Sequence, residues 1–164
     1  MVDTVFKFIS LPTPTSYHKK FLLVTQRDCF DINTPATVKK EVFHVSETYL
    51  ESSAPGAPEV FIRKVGKNDS YIYNHEVRLF QDQQRILKRR QLSAREYIEM
   101  LDHAAAGCKE LKKFRQCFIF EQQYFMVETF LNLDQQPSIL RIETAKDQSE
   151  ITLPSWLTIY KEVT

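Results

Sequence analysis

Basic residues recur at alternate positions in several apolar stretches of this chain, and that spacing is the first feature with chemical meaning. In "VFIRKVG" Arg63 shares parity with Phe61 and Val65, and in "SYIYNHEVRLF" Arg78 shares it with Glu76 and Asn74. In "RILKRR" Arg85 goes with Leu87 and Arg89; in "LKKFRQCF" Lys113 goes with Arg115 and Cys117; in "SILRIETA" Arg141 goes with Ile139 and Glu143. Successive side chains of a strand point to opposite faces, so each group lies on one face of its own strand. In any one strand such a face is ordinarily a solvated exterior. Across five strands with partly apolar opposite faces, a barrel with a charged lumen accounts for both faces at once. Cations gathered inside repel one another unless an anion neutralises them, so this interior implies a polyanionic ligand.

The elements that must position these residues read mostly as strands. "KKFLLV" and "EVFHVSETYLES" are β-branched and aromatic, and "EVFIRKVG" and "SYIYNHEVRLF" form a hairpin across the polar turn "KNDS". "RILKRR", "LKKFRQCFIFEQ", "QYFMVETFLN" and "SILRIETA" follow, and "LPSWLTIYKEVT" closes the chain. The pattern changes once. Ser93 and Glu96 have capping-box spacing, Leu92 and Tyr97 are placed as a hydrophobic staple, and apolar residues at helical intervals run to Ala106 before Gly107. The expected fold is mainly β with minor α, an antiparallel barrel of about eight strands with an outer helix near 93–106. Residues 1–14, ending in "LPTPT", read as an N-terminal linker segment, and residues 15–164 as the barrel domain.

Bulk properties bound the partners. The chain has 164 residues, 43% of them hydrophobic, and only 3 glycines, which fits one globular domain. Formal charge is +1, but nine Lys/Arg face four Asp/Glu between Arg85 and Arg115, a local net of +5. The run Lys88–Arg90 splits between two strand faces, which argues against a nucleic-acid stripe, and no nucleic acid is expected. Cys29, Cys108 and Cys117 are odd in number and widely spaced, as reduced thiols are. No run approaches a membrane span and no signal-peptide core is present, so a cytoplasmic domain able to touch a membrane surface is expected.

In this order the motifs resemble those of the CYTH, or triphosphate tunnel metalloenzyme, superfamily, which includes thiamine triphosphatases and class IV adenylyl cyclases. The resemblance runs from Tyr17 to Thr164. "KKFLL" is similar to the first strand, "VSETYL" to the I-x-Q-x-Y-L segment, "VFIRKVG" to the R-I-R strand and "EVRLF" to a strand with an inward Lys or Arg. "LKKFRQCF" is similar to the K-x-R strand and "LPSWLTIYKEVT" to the closing P-x-W segment. The order also resembles the C-terminal barrel of a narrower animal group, that of the TRPL-translocation-defect protein. For that group the resemblance implies phosphoinositide binding, vesicle trafficking and an upstream P-loop NTPase domain in a longer chain.

Departures from the family pattern shape the functional expectation. Family enzymes open with E-x-E-x-K, whose acids help hold a divalent metal. Aligned on "KFLL", Lys20 keeps the lysine while Ser16 and His18 replace the acids. An R-x-E-x-E strand is similar to Arg85, Leu87 and Arg89 with both acids gone, and a late E-x-E strand to Arg141 and Glu143 with one kept. The expected phosphate ligands are therefore Lys20, Arg63, Arg78, Arg85, Arg89, Lys113, Arg115 and Arg141, with His18 and Glu143 as additional candidates. No catalytic residue, metal ligand or cofactor is expected. The reading is a phosphoinositide-binding module, peripheral on endosomal or vesicle membranes. The alternative is a metal-dependent triphosphatase acting on a small organic or inorganic triphosphate, with Mg²⁺ or Mn²⁺ held by Glu143 and another acid. In a purely structural reading the cations instead pair with Glu76, Glu121 and Glu128.

Overall fold

Alternation of side chains is realised, among the described residues, in nine strands that make one antiparallel sheet. A computed structural model describes residues 17–24, 34–51, 56–82, 84–144 and 151–163, with the backbone alone at Tyr17, His18, Phe80, Gln81, Gln84, Arg85 and Thr144. The expected linker over 1–14, together with Ser16 and Cys29, lies outside the described residues. The strands are β1 (Tyr17–Leu23), β2 (Lys40–Tyr49), β3 (Glu59–Lys67), β4 (Ser70–Gln81), β5 (Gln84–Leu92), β6 (Leu111–Phe120), β7 (Gln123–Phe130), β8 (Ser138–Thr144) and β9 (Ile159–Val163). One helix, α1 (Ala94–Leu101), separates β5 from β6. The ninth strand is the C-terminal half of the closing segment, one more than the eight expected.

The sheet order is β5-β4-β3-β2-β6-β7-β8-β1-β9. It consists of two meanders, β2 to β5 and β6 to β8, joined where β2 pairs with β6; β1 then pairs with β8 and β9 with β1. Strands β5 and β9 are edges: no ladder joins them among the described residues, so the hydrogen-bonded ring expected of a barrel is left open. The sheet is nevertheless curled. Val65 and Glu76 share one face and are fully buried, and Arg89 on β5 feels the charge of Arg115 on β6, four places away in the sheet. Two-residue turns tighten the meanders. Asn68–Asp69 and Glu121–Gln122 all have positive φ, the geometry of hairpin turns that match strand twist. Gly66 is required beside the first of these, because a Cβ there would sit 2.0 Å from the Ser70 carbonyl oxygen.

The outer face carries two apolar clusters, and a third, of Phe43, Val45, Val65 and Cys117, lies on the inner face. Phe21, Leu23, Phe118, Phe125, Val127, Leu140 and Ile142 pack beneath Leu157 and Trp156; fully burying each such side chain contributes about 1.5–3 kcal/mol. Ile62, Leu92 and Tyr97 form a second cluster under α1. The helix starts as its sequence dictates: the Glu96 amide donates to Ser93 Oγ (3.2 Å) and the Ser93 amide to Glu96 Oε2 (2.7 Å). It ends at Leu101, five residues before the expected Ala106. His103 and Ala104 donate three residues back and tighten the last turn. The Ala105 amide then donates to the Tyr49 carbonyl. The end of β2 thus captures a stretch whose local spacing suits a helix.

Candidate anion-binding face

Register places all ten sequence-predicted residues on one face of the sheet. Glu47 lies opposite Arg63, Arg63 opposite Asn74, and Glu76 opposite Arg89. Phe43 faces Arg115, Arg115 faces Glu128, and Glu128 faces Ile139. Lys20 faces Arg141, and His18 faces Glu143. Arg85 lies opposite Phe80, in step with Arg78. This is the inner face of the curl, and Lys88 and Arg90 point to the other side, where Arg90 bonds Glu96 (2.9 Å).

Five of the cations converge on three buried carboxylates. Glu47 Oε1 accepts from Arg63 (Nη2 2.7 Å, Nε 3.0 Å) and from Lys113 Nζ (3.0 Å). Glu76 Oε1 accepts from Arg63 Nη1 (2.9 Å) and Arg89 Nε (3.0 Å). Glu128 Oε1 accepts from Arg115 (Nη2 2.7 Å, Nε 3.1 Å). Glu128 Oε2 sits 3.2 Å from Arg141 Nε without hydrogen-bond geometry, and 3.9 Å from Lys113 Nζ. Lys113 thus ties the two halves of the network together. Five positive charges on three negative ones leave an excess of two in a region of low dielectric, where that excess acts strongly.

The titration of these groups follows from that geometry. Burial pushes the Glu128 carboxyl up, but Arg115, Lys113 and Arg141 outweigh it and hold the group at about 2. Burial also pushes Glu47 up, and Arg63 with Lys113 bring it below its ordinary value. Burial lowers Lys113 and Arg89, and their carboxylate partners recover only part of that. At neutral pH both acids are ionised, and the cations that keep them so are their nearest neighbours.

Arg78 has partners of its own on this face. It stacks on Phe61 (4.3 Å from its centroid) and reaches Tyr49 Oη (3.4 Å) and exposed Glu59 (3.6 Å). Lys20 is half-buried, Glu143 is exposed, and for His18 and Arg85 the placement is that of the backbone. Glu47, Glu76 and Glu128 supply carboxylates on this face, two of them the partners named in the purely structural reading. Glu47 has no counterpart among the sequence predictions, although its parity with Val45 and Tyr49 was readable. Glu121, a partner of the cations only in the purely structural reading, sits exposed in the β6–β7 turn.

Whether Mg²⁺ or Mn²⁺ fits can be judged from the donors. A hard cation needs several oxygens about one point. Among the described residues no three Asp, Glu, His or Cys side chains gather, and each buried carboxylate is engaged by cations. Glu76 Oε2 and Glu128 Oε2 are buried without a hydrogen-bond donor, but they stand on β4 and β7. The described donors do not make a preformed metal site.

No protein-family model matches this chain, and no curated protein does. Solved structures do. The inorganic triphosphatase NE1496 is similar over 90% of this chain and 88% of its own, with 17% identity and a TM-score of 0.57. A second structure of NE1496 gives 18% identity, 92% and 90% coverage and a TM-score of 0.59. PH1819 of Pyrococcus horikoshii OT3 matches at 13% identity over 81% and 80%, TM-score 0.52. The curled antiparallel sheet shares its fold with these structures.

Proposed function

We propose that the inner face binds the phosphate chain of a small organic or inorganic triphosphate, and that the protein hydrolyses it in the presence of Mg²⁺ or Mn²⁺. The observation that carries this reading is the excess of cations over buried carboxylates, on a fold shared with a protein described as an inorganic triphosphatase. Arg63, Arg89, Arg115 and Arg141 offer guanidinium forks that hold phosphate oxygens in pairs, and Lys113 adds a mobile point charge. Burial excludes water and strengthens each of these contacts. The measurement is phosphate release from tripolyphosphate with and without Mg²⁺ or Mn²⁺, in wild type and in the double variant Lys113→Ala, Arg115→Ala. Metal-stimulated release that the double variant loses is expected. Absence of both binding and release would sink the reading.

A second reading has its own observation. The carboxylates are occupied by cations instead of grouped for a metal, which suits binding without turnover. In that form the ligand is a phosphoinositide head group, and the protein is recruited to endosomal or vesicle membranes for trafficking. A P-loop NTPase domain would precede it in the full chain, as in the TRPL-translocation-defect group. Each basic residue near an anionic leaflet contributes ~1 kcal/mol. Co-sedimentation with phosphoinositide liposomes, with and without Mg²⁺, separates the two: metal-independent, head-group-selective binding without phosphate release favours the second.

A further inference from the structure

The carboxylates of the inner face occupy the same N–H donors that a phosphate chain needs. Arg63 has three of its donor bonds on Glu47 and Glu76, and both bonds described for Arg115 end on Glu128. We infer that Glu47, Glu76 and Glu128 are internal counter-anions which a bound phosphate chain displaces, and that the displacement draws protons onto Glu47 and Glu128, so that binding strengthens as pH falls. This rests on the triphosphate reading above.

The surroundings of both acids support it. Glu47 is faced by Arg63 from β3, by Lys113 from β6 and by Glu128 from β7. Through Arg63 it also meets Glu76 on β4, which Arg89 on β5 contacts. Glu128 is faced by Lys113 and Arg115 from β6 and by Arg141 from β8; among the described residues Cys117 on β6 and Glu47 on β2 also act on it. For both carboxyls burial is the largest single influence and favours the neutral form; only the cations overcome it. A guanidinium that turns to a phosphate oxygen withdraws that support and brings negative charge beside the acid. Each carboxylate then gains a proton from solvent and becomes a donor to the ligand instead of a competitor. A group whose pKa is raised on binding takes up a proton, and affinity falls by up to about tenfold per pH unit for each proton as pH rises through the bound-state value.

The test is calorimetric titration of tripolyphosphate without divalent metal, from pH 6 to 8, in buffers of different ionisation heat. The ligand's own protonation is common to every variant and cancels in comparison. Wild type should take up more protons than Glu47→Gln or Glu128→Gln. Each variant should bind more tightly at the alkaline end, by about tenfold, with a flatter pH profile. Equal proton counts, or weaker binding by the variants, would overturn the inference while leaving the triphosphate reading intact. No binding at any pH defeats both. If the glutamine variants do not fold, wild type with inositol hexasulfate decides, because that ligand's charge is constant over this range: proton uptake sustains the linkage, and its absence, or no binding, refutes it.

Discussion

Strand β7 carries two opposite kinds of burial on its two faces. Phe125 and Val127 point outward into the apolar cluster, and Glu128, almost as thoroughly buried, points inward against Arg115 and Arg141. The outer burial gains free energy without directional demands. The inner burial takes charges out of water and recovers the cost only through well-placed partners, so it adds little net stability and is conditional on every member being present. At β7 the fold therefore rests on the outer face, and the ion network opposite is held in balance beside it. Such a balance is what an incoming anion can tip.

The contrast is tested most severely at Phe125. Phe125→Ala should cost about 3–5 kcal/mol in urea unfolding, with tripolyphosphate adding only the increment it adds to wild type. A loss under about 1 kcal/mol would mean the outer cluster is not the core. Glu128→Ala should cost roughly 3 kcal/mol, because Arg115 loses both of its described bonds and Arg141 its ion pair, while Lys113 keeps Glu47. Unlike the Phe125 lesion, this one should gain more from tripolyphosphate than wild type does, because the anion replaces the missing carboxylate. Identical responses of the two variants to the anion would erase the distinction between the faces.

Acid sharpens the same comparison. The Glu128 carboxyl is held at about 2 in the folded protein, below its unfolded value of about 4.3. Its contribution is therefore complete above that unfolded value and is lost as pH falls through about 2, in total ~3 kcal/mol. Wild type should lose stability over that window, and Glu128→Gln should show a shallower slope there. Ser93→Ala touches neither face and should show the smallest effect, about 1 kcal/mol from the lost helix cap. Its anion binding should match wild type.

The inward cations were legible because alternation is a local property: Lys113 and Arg115 share a face whatever lies beside them. The same holds for the Ser93–Glu96 cap and the turn at Asn68–Asp69. Glu47 was not legible, because its importance comes from Arg63 on one neighbouring strand and Lys113 on the other. That meeting depends on the β2–β6 register, a pairing between distant segments with no local signature. The helix end was misplaced for a related reason. His103 to Ala106 continue an acceptable helix, but the Tyr49 carbonyl competes for the Ala105 amide and wins. Curling and open edges are properties of the whole sheet, and no single strand announces them.

The junction between β2 and β6 also fixes the order in which the molecule assembles. Hairpins within each meander close short loops, whereas the Glu47–Lys113 contact spans 66 residues and must await a long-range closure with a larger entropic cost. The charges stay hydrated until that closure, so their desolvation falls on the slow step. Replacing Glu47 and Lys113 together by methionine should accelerate refolding in stopped-flow measurements, and an unchanged or slower rate would place the closure elsewhere. Two residues of the buried ion network would thereby act as a brake on the chain's own folding.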